Sequence, residues 1–242
     1  MTKDLTVIIL AYNEEPNIEA AIESVIMAVK DVVDNYEIIV MNDGSLDRTG
    51  ELAQAKANKN PKIQVVHNEK NLGYGAAYRK GLALATKTYV TTFSGDNDMS
   101  AGSLKDLIAA MGSSDVVCSY YKDQQCRPWA RRFISATLVM FINLLFGLRL
   151  KYYNGSSITR LKAVRAMNLR SVGMAVNSEC LVKLLKSGAS YREVGFNFIG
   201  RKGGKSTAVS LKSLCQVMMT LCILIDDIYL RRKYSSGKIQ TA

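Results

Sequence analysis

The chain reads as an α/β protein whose mostly parallel sheet carries helices on both faces, and three observations say so. Short β-branched runs alternate with helix-patterned stretches through the first half of the 242 residues, the pattern of strand–helix–strand crossovers. The runs are continuously apolar rather than apolar at every second position, as strands buried on both faces are. Turn-forming Asn, Asp and Gly cluster after the runs, where a strand hands over to a helix.

Leu5–Leu10 (LTVIIL) is too short for a helix and predicts the first strand. Pro16 then sits where a helix tolerates it, in the first turn of a stretch predicted to run from Ile18 to Val29. Tyr36–Met41 (YEIIVM) predicts a second strand, Asp47–Ala57 a helix, Ile63–Val66 a third strand and Gly75–Ala85 a helix. Tyr89–Phe93, Leu104–Met111 and Asp115–Ser119 continue the series as strand, helix and strand. The second half is less regular. An apolar helix is expected over Phe133–Phe146 after a basic segment, and Tyr152–Gly155 reads as a turn. Helices are expected over Leu161–Leu169 and from Glu179 to Lys186, with a strand at Tyr191–Val194. Arg201–Ser206 is a Gly-rich basic loop, and Val209–Arg232 reads as one long helix. On that last helix Ser213, Gln216, Thr220 and Asp227 form a thin polar stripe, so most of its circumference is apolar.

Lys and Arg outnumber Asp and Glu by 32 to 21, for a net charge of +11. Such a balance favours anionic partners: a nucleotide, a phospholipid surface or a phosphorylated lipid. Nucleic acid is not expected, because no base-stacking aromatic pattern or nucleic-acid motif accompanies the charge. Five cysteines without a C-x-x-C and a single histidine, His67, point to reduced thiols and argue against zinc. No signal peptide is legible. The apolar runs 133–146 and 214–225 fall short of the roughly 20 residues a membrane-crossing helix needs, so buried, paired or interfacial helices are expected there.

In a parallel sheet, ligands bind beyond the carboxyl ends of the strands. That rule brings Tyr12-Asn13-Glu14, Asn42-Asp43-Gly44-Ser45, Asn71-Leu72-Gly73 and Asp96-Asn97-Asp98 to one crevice. The last segment is the sharpest. Two carboxylates separated by one residue repel each other at a strand end, and a hard divalent cation such as Mg²⁺ or Mn²⁺, shared with substrate phosphates, relieves that repulsion.

The segments AYNEEPNI, NDGSLDRTG, NLGYGAAYRKG and SGDND, in this order, resemble the signatures of family 2 glycosyltransferases with the GT-A fold. GMAVNSE and RKGGKS are similar to the polyprenyl-phosphate (dolichol-phosphate) hexosyltransferase branch. The resemblance implies a nucleotide-sugar donor, held by Tyr12, Glu14, Asp43, Asp96 and Asn97, with Mg²⁺ or Mn²⁺ on Asp96 and Asp98. It implies that Arg201 reaches the donor phosphates and that Gly203 and Gly204 let its loop close. Asp98, Arg201 and Glu179 are the catalytic candidates; Glu179 is either a base toward a hydroxyl acceptor or a helix-terminal carboxylate. Arg127, Arg131 and Arg132 are the acceptor-binding candidates, with the apolar 133–146 helix taking a lipid tail. Asn42 and Ser100 depart from the family pattern, standing where an acid and a Gln are common.

The expectation is therefore an inverting, metal-dependent hexosyltransferase acting on a lipid-phosphate acceptor, with a hydroxyl acceptor or a non-catalytic nucleotide binder as alternatives. A catalytic domain over 1–206 and a C-terminal apolar helix and basic tail over 207–242 are expected. So are a cytoplasmic, peripheral place on the inner face of a membrane and a possible homo-oligomer.

Overall fold

A computed structural model of the chain describes residues 3–123, 128–200 and 211–234. The alternation expected of the first half is present: β1 (Asp4–Ala11), α1 (Ile18–Val29), β2 (Asn35–Asn42), α2 (Thr49–Ala57), β3 (Ile63–His67), α3 (Tyr74–Leu84), β4 (Tyr89–Ser94), α4 (Ala101–Ala109) and β5 (Val116–Tyr121). There follow α5 (Trp129–Phe146), β6 (Ser157–Arg160), α6 (Leu161–Arg165), α7 (Ala175–Lys186), β7 (Tyr191–Phe196) and α8 (Leu211–Ile225), which ends in a π-helical turn, Asp226–Leu230.

The strands form one seven-stranded sheet in the order β3-β2-β1-β4-β6-β5-β7. All run the same way except β6, which is antiparallel to both neighbours. Side chains alternate across a strand, so β1 serves two cores. Leu5, Val7 and Ile9 face a cluster with Ile18, Ile22 and Val25 of α1, Ala53 of α2 and Leu104 and Ile108 of α4. Ile8 and Leu10 face the other cluster, with Ala77 and Leu82 of α3, Phe146 of α5, Val176 and Leu181 of α7 and Leu221 and Leu224 of α8. Burial on both faces is why the strands read as unbroken apolar runs.

Two expectations change. The turn read after Tyr152 is followed by β6, whose Thr159 pairs with both Val90 and Val116. Four residues are too few to show a period, and the strand exists because β4 and β5 leave a slot for it. The helix expected over Leu161–Leu169 stops at Arg165. Beyond it the chain turns so that the Arg170 and Ser171 N–H groups point into the interior.

Helix α5 has an unusual surface. Only Ile142 and Phe146 of its eighteen residues are buried, while Phe133 (69% exposed), Met140, Phe141 and Leu144 (76%) face outward. The α8 helix is inverted in the same sense. Its polar stripe faces inward, Thr220 donating to the Ser171 hydroxyl at 2.8 Å, while Leu214, Met218 and Met219 are exposed. The two helices meet at their C-terminal ends, where Tyr229 stacks on Phe146 with ring centroids 5.9 Å apart. The helices extend beyond the apolar runs that read as too short in the sequence, and both Trp129–Phe146 and Ser213–Leu230 are long and apolar enough, by length and composition alone, to cross a membrane.

Candidate active site

The four polar segments meet at the carboxyl edge of the sheet and are tied to one another. The loops after β1 and β2 exchange bonds: the Asn13 N–H donates to Ser45 Oγ (3.0 Å) and the Leu46 N–H to Asn13 Oδ1 (2.8 Å). Asn13 occupies the left-handed region at φ 53°, which Asn tolerates better than most residues. Glu14 is buried; its N–H donates to Thr49 Oγ1 at 2.7 Å, and its carboxylate accepts from Asn17 Nδ2 at 2.8 Å. Tyr12, by contrast, stays 42% exposed, its ring available for stacking.

Asp43 organises the next loop. It is 4% exposed, and its Oδ1 accepts from Asn68 Nδ2 (2.8 Å) and the Leu72 N–H (3.0 Å) while its Oδ2 accepts from the Gly73 N–H (2.8 Å). Gly44 is required beside it. At φ 70° a side chain is strained, and a Cβ would lie 2.4 Å from the Lys70 carbonyl carbon. The departure at Asn42 has a packing reason: its Nδ2 lies 3.0 Å from Nδ1 of His67 and its Oδ1 accepts from the Ser45 N–H. That contact ties His67 to the end of β2.

Beyond β4 the chain turns at Gly95, whose N–H bonds the Leu10 carbonyl (2.9 Å), and Asn97 takes the left-handed region at φ 54°. Asp96, Asn97 and Asp98 are all half-buried. The backbone after β7 fixes this tip from the other side. Met99 bridges Phe198, and the Ile199 N–H donates to the Asp98 carbonyl at 2.9 Å. Ser100, the second departure, caps α4 by accepting from the Ser103 N–H, a role Ser fills well.

Do these residues suit a divalent cation? Among the described residues no group of three or more His, Cys, Asp and Glu converges into a complete cage. The tip offers two half-buried carboxylates, and beside them Asn97 Oδ1 is buried without a hydrogen-bond partner. Mg²⁺ and Mn²⁺ are held by one or two carboxylates together with substrate phosphates, so the pair fits such an ion jointly with a diphosphate.

Glu179 requires a correction. Its side chain has no exposure and is paired with Lys183 at 2.6 Å, while its oxygens accept from the Arg170 and Ser171 N–H groups at 2.8–3.1 Å. A carboxylate so enclosed has no path to an acceptor hydroxyl, and its role is structural. Arg131 and Arg132 lie in the first turn of α5, the helix that follows β5 in the chain. Arg127 and Arg201, with Gly203 and Gly204, lie outside the described residues.

The sequence reading missed two features of this edge. Tyr74 opens α3 with its hydroxyl 3.2 Å from Asn177 Nδ2. Burial, first, and the nearby charges of Asp98 and Asp96 push its phenol pKa up. Tyr121 packs edge-on to Tyr152 (5.0 Å) and against Phe196 (4.4 Å) and Phe198 (5.9 Å), an aromatic wall beside the Asp tip. The aromatic spacing in VVCSYY and VGFNF was the available signal.

Sheet order, switch point between β1 and β4, and acidic tip together define the GT-A glycosyltransferase fold. The profile described as "Glycosyl transferase family 2" matches residues 6–172, and the chain belongs to that family. It is 28% identical over 211 residues to the dolichol-phosphate mannosyltransferase of Pyrococcus furiosus, covering 84% of this chain and 58% of that one. To the undecaprenyl-phosphate mannosyltransferase of Micrococcus luteus it is 23% identical over 189 residues, covering 74% and 78%. The chain spans about a third of the length of several other curated relatives that it matches. A solved structure of glucosyl-3-phosphoglycerate synthase from Mycobacterium tuberculosis, with Mn²⁺, UDP-glucose and phosphoglyceric acid, has a TM-score of 0.71. It is 20% identical, covers 92% of this chain and 79% of that one, and shares the fold.

Proposed function

We propose that the chain is an inverting glycosyltransferase that moves a hexose from a nucleotide-diphosphate sugar to a polyprenyl phosphate at the inner surface of a membrane. The observation that carries the acceptor is α5. It carries Arg131 and Arg132 in its first turn, then presents Phe133, Met140, Phe141 and Leu144 outward. A cationic patch continuing into an unburied apolar helix suits an anionic headgroup on an isoprenoid tail. The two mannosyltransferase relatives act, by their names, on such lipids.

In this reading Tyr12 stacks on the base, Glu14 and Asp43 hold the base and ribose, and Asn97 orients the donor beside the acidic pair. Asp96 and Asp98 hold the divalent ion, which when bound supplies charge neutralisation to the leaving diphosphate. An acceptor phosphate oxygen attacks the anomeric carbon as the bond to the diphosphate oxygen breaks. That nucleophile is already anionic at neutral pH, so no carboxylate base is needed, in keeping with the enclosure of Glu179. Lys122, Arg131 and Arg132, with Arg127, hold the acceptor phosphate. Arg201 steadies the donor phosphates through the fork geometry of its guanidinium.

The test is a panel of UDP- and GDP-sugars, with Mn²⁺ or Mg²⁺, against short polyprenyl phosphates and simple saccharides. Transfer to the lipid phosphate is expected. Transfer to a saccharide alone would sink the acceptor assignment, and nucleotide binding without any turnover would sink the enzyme.

A further inference from the structure

The polar stripe of α8 docks that helix onto the segment 168–173, and its contacts continue toward the acidic tip. Gln216 sits directly on Gly173, where a Cβ would lie 2.2 Å from Gln216 Oε1. Thr220 donates to Ser171 Oγ at 2.8 Å. Asp227, in the π-helical turn, pairs with Lys183 at 2.9 Å and Arg170 at 3.0 Å. A π turn inside a helix is costly and clusters at functional places. Here it lies where the helix turns its acid into the core.

Lys183 is wholly buried between Glu179 (2.6 Å), Asp227 (2.9 Å) and the Asn168 carbonyl (2.7 Å), with the Tyr234 ring 5.1 Å away. Burial works against its charge, but the bonds to Glu179 and Asp227 outweigh it and hold its pKa above the ordinary lysine value. Glu179 in turn holds the Arg170 and Ser171 N–H groups. The Ser171 carbonyl then faces α3, accepting from Arg79 at 2.6 Å and lying so close to Gly75 that a Cβ there would be 2.3 Å away. Next to Gly75 is Tyr74, whose hydroxyl is bonded to Asn177 of α7 and to Thr92 of β4, the strand that ends at Ser94 just before the acidic tip. Each link is a short, specific contact between groups wholly or partly buried, so displacement at one end is passed on rather than absorbed.

We propose that Lys183 is a positioning residue: clamped between Glu179 and Asp227, it carries the placement of α8 through segment 168–173 to the N-terminus of α3, and so to the Asp96–Asp98 tip. This rests on the proposed role of that tip as the donor site. The linkage itself is independent of any ligand.

The experiment pairs two variants with two readouts. Asp227→Asn weakens the clamp while keeping its shape, and Thr220→Val removes one seam bond with little volume change, so one variant remains informative if the other folds poorly. Hydrogen exchange of the ligand-free protein is followed at 73–79 and 94–100, with 38–41 of β2 as reference. Exchange in the first two segments should rise on the order of 10-fold in Asp227→Asn while β2 is unchanged. A rise confined to α7 and α8, or uniform across the chain, overturns the linkage. Titration with UDP and Mn²⁺ should show about 5-fold weaker binding by the folded variant. Unchanged affinity overturns the positioning role. If exchange is coupled as expected but wild-type protein binds no nucleoside diphosphate, the linkage stands and the donor reading falls.

Discussion

Asp43 offers a magnitude that can be worked from the contacts. Replacing it by Asn keeps the shape and one carbonyl oxygen. That oxygen can serve the side that takes Asn68 Nδ2 and the Leu72 N–H, but the new amide then turns its own N–H toward the Gly73 N–H, 2.8 Å from the atom it replaces. One backbone donor is orphaned in a nearly closed site, at a cost of about 1–3 kcal/mol, and the remaining bonds lose charge assistance. Leu72 is 44% exposed, so the loop can open partly to water, which caps the total at roughly 2–4 kcal/mol. Urea unfolding of Asp43→Asn against wild type, extrapolated to water, measures it. UDP binding should fall as well, because the loop from Asn68 to Gly73 would no longer be held. A variant within about 0.5 kcal/mol of wild type, the usual range for surface changes, would refute the claim that this carboxylate organises the loop.

Asp98→Asn should keep the unfolding midpoint and abolish the Mn²⁺-dependent part of UDP binding in calorimetry; an undiminished metal effect would count against the metal pair. Phe133→Ser with Leu144→Ser should leave stability unchanged, since both side chains already face outward. The double variant should lose at least 10-fold in co-sedimentation with anionic vesicles, given about 1.5–3 kcal/mol per large apolar side chain buried, and equal sedimentation would rule out the α5 surface. Asp115, just before β5, accepts from the Ser190 hydroxyl (2.6 Å) and N–H (2.8 Å), which hold its pKa below the ordinary 3.8. A depressed carboxylate stabilises the fold above its unfolded-state pKa and loses that contribution as pH falls through the folded value. Ser190→Ala should therefore narrow the stability difference between pH 6 and pH 2, and an unchanged acid-side slope would contradict the assignment.

The central parallel strands β1, β2 and β4 were legible because their cores are buried on both faces, and a segment such as Leu5–Leu10 can satisfy that only by being apolar throughout. The acidic tip was legible for the opposite reason: two carboxylates at a strand end have no packing use. Neither signal extends to β6. Its residues, Ser157–Arg160, pair only because β4 and β5 stand far enough apart to admit a strand. Glu179 shows the same limit from the site's side. As a letter in GMAVNSE it was open to a catalytic or a structural reading, and the convergence of Lys183, Arg170 and Ser171 decided between them.

The amino-acid order by itself determined which segments become the parallel strands, where the carboxyl edge lies and which carboxylates arrive there, since these follow from local periodicity and turn chemistry. Only the tertiary structure decided that α8 turns its polar stripe inward and its apolar face out. The direction a helix faces depends on what it packs against, and the partners here, Ser171, Lys183 and Arg170, come from segments distant in the chain.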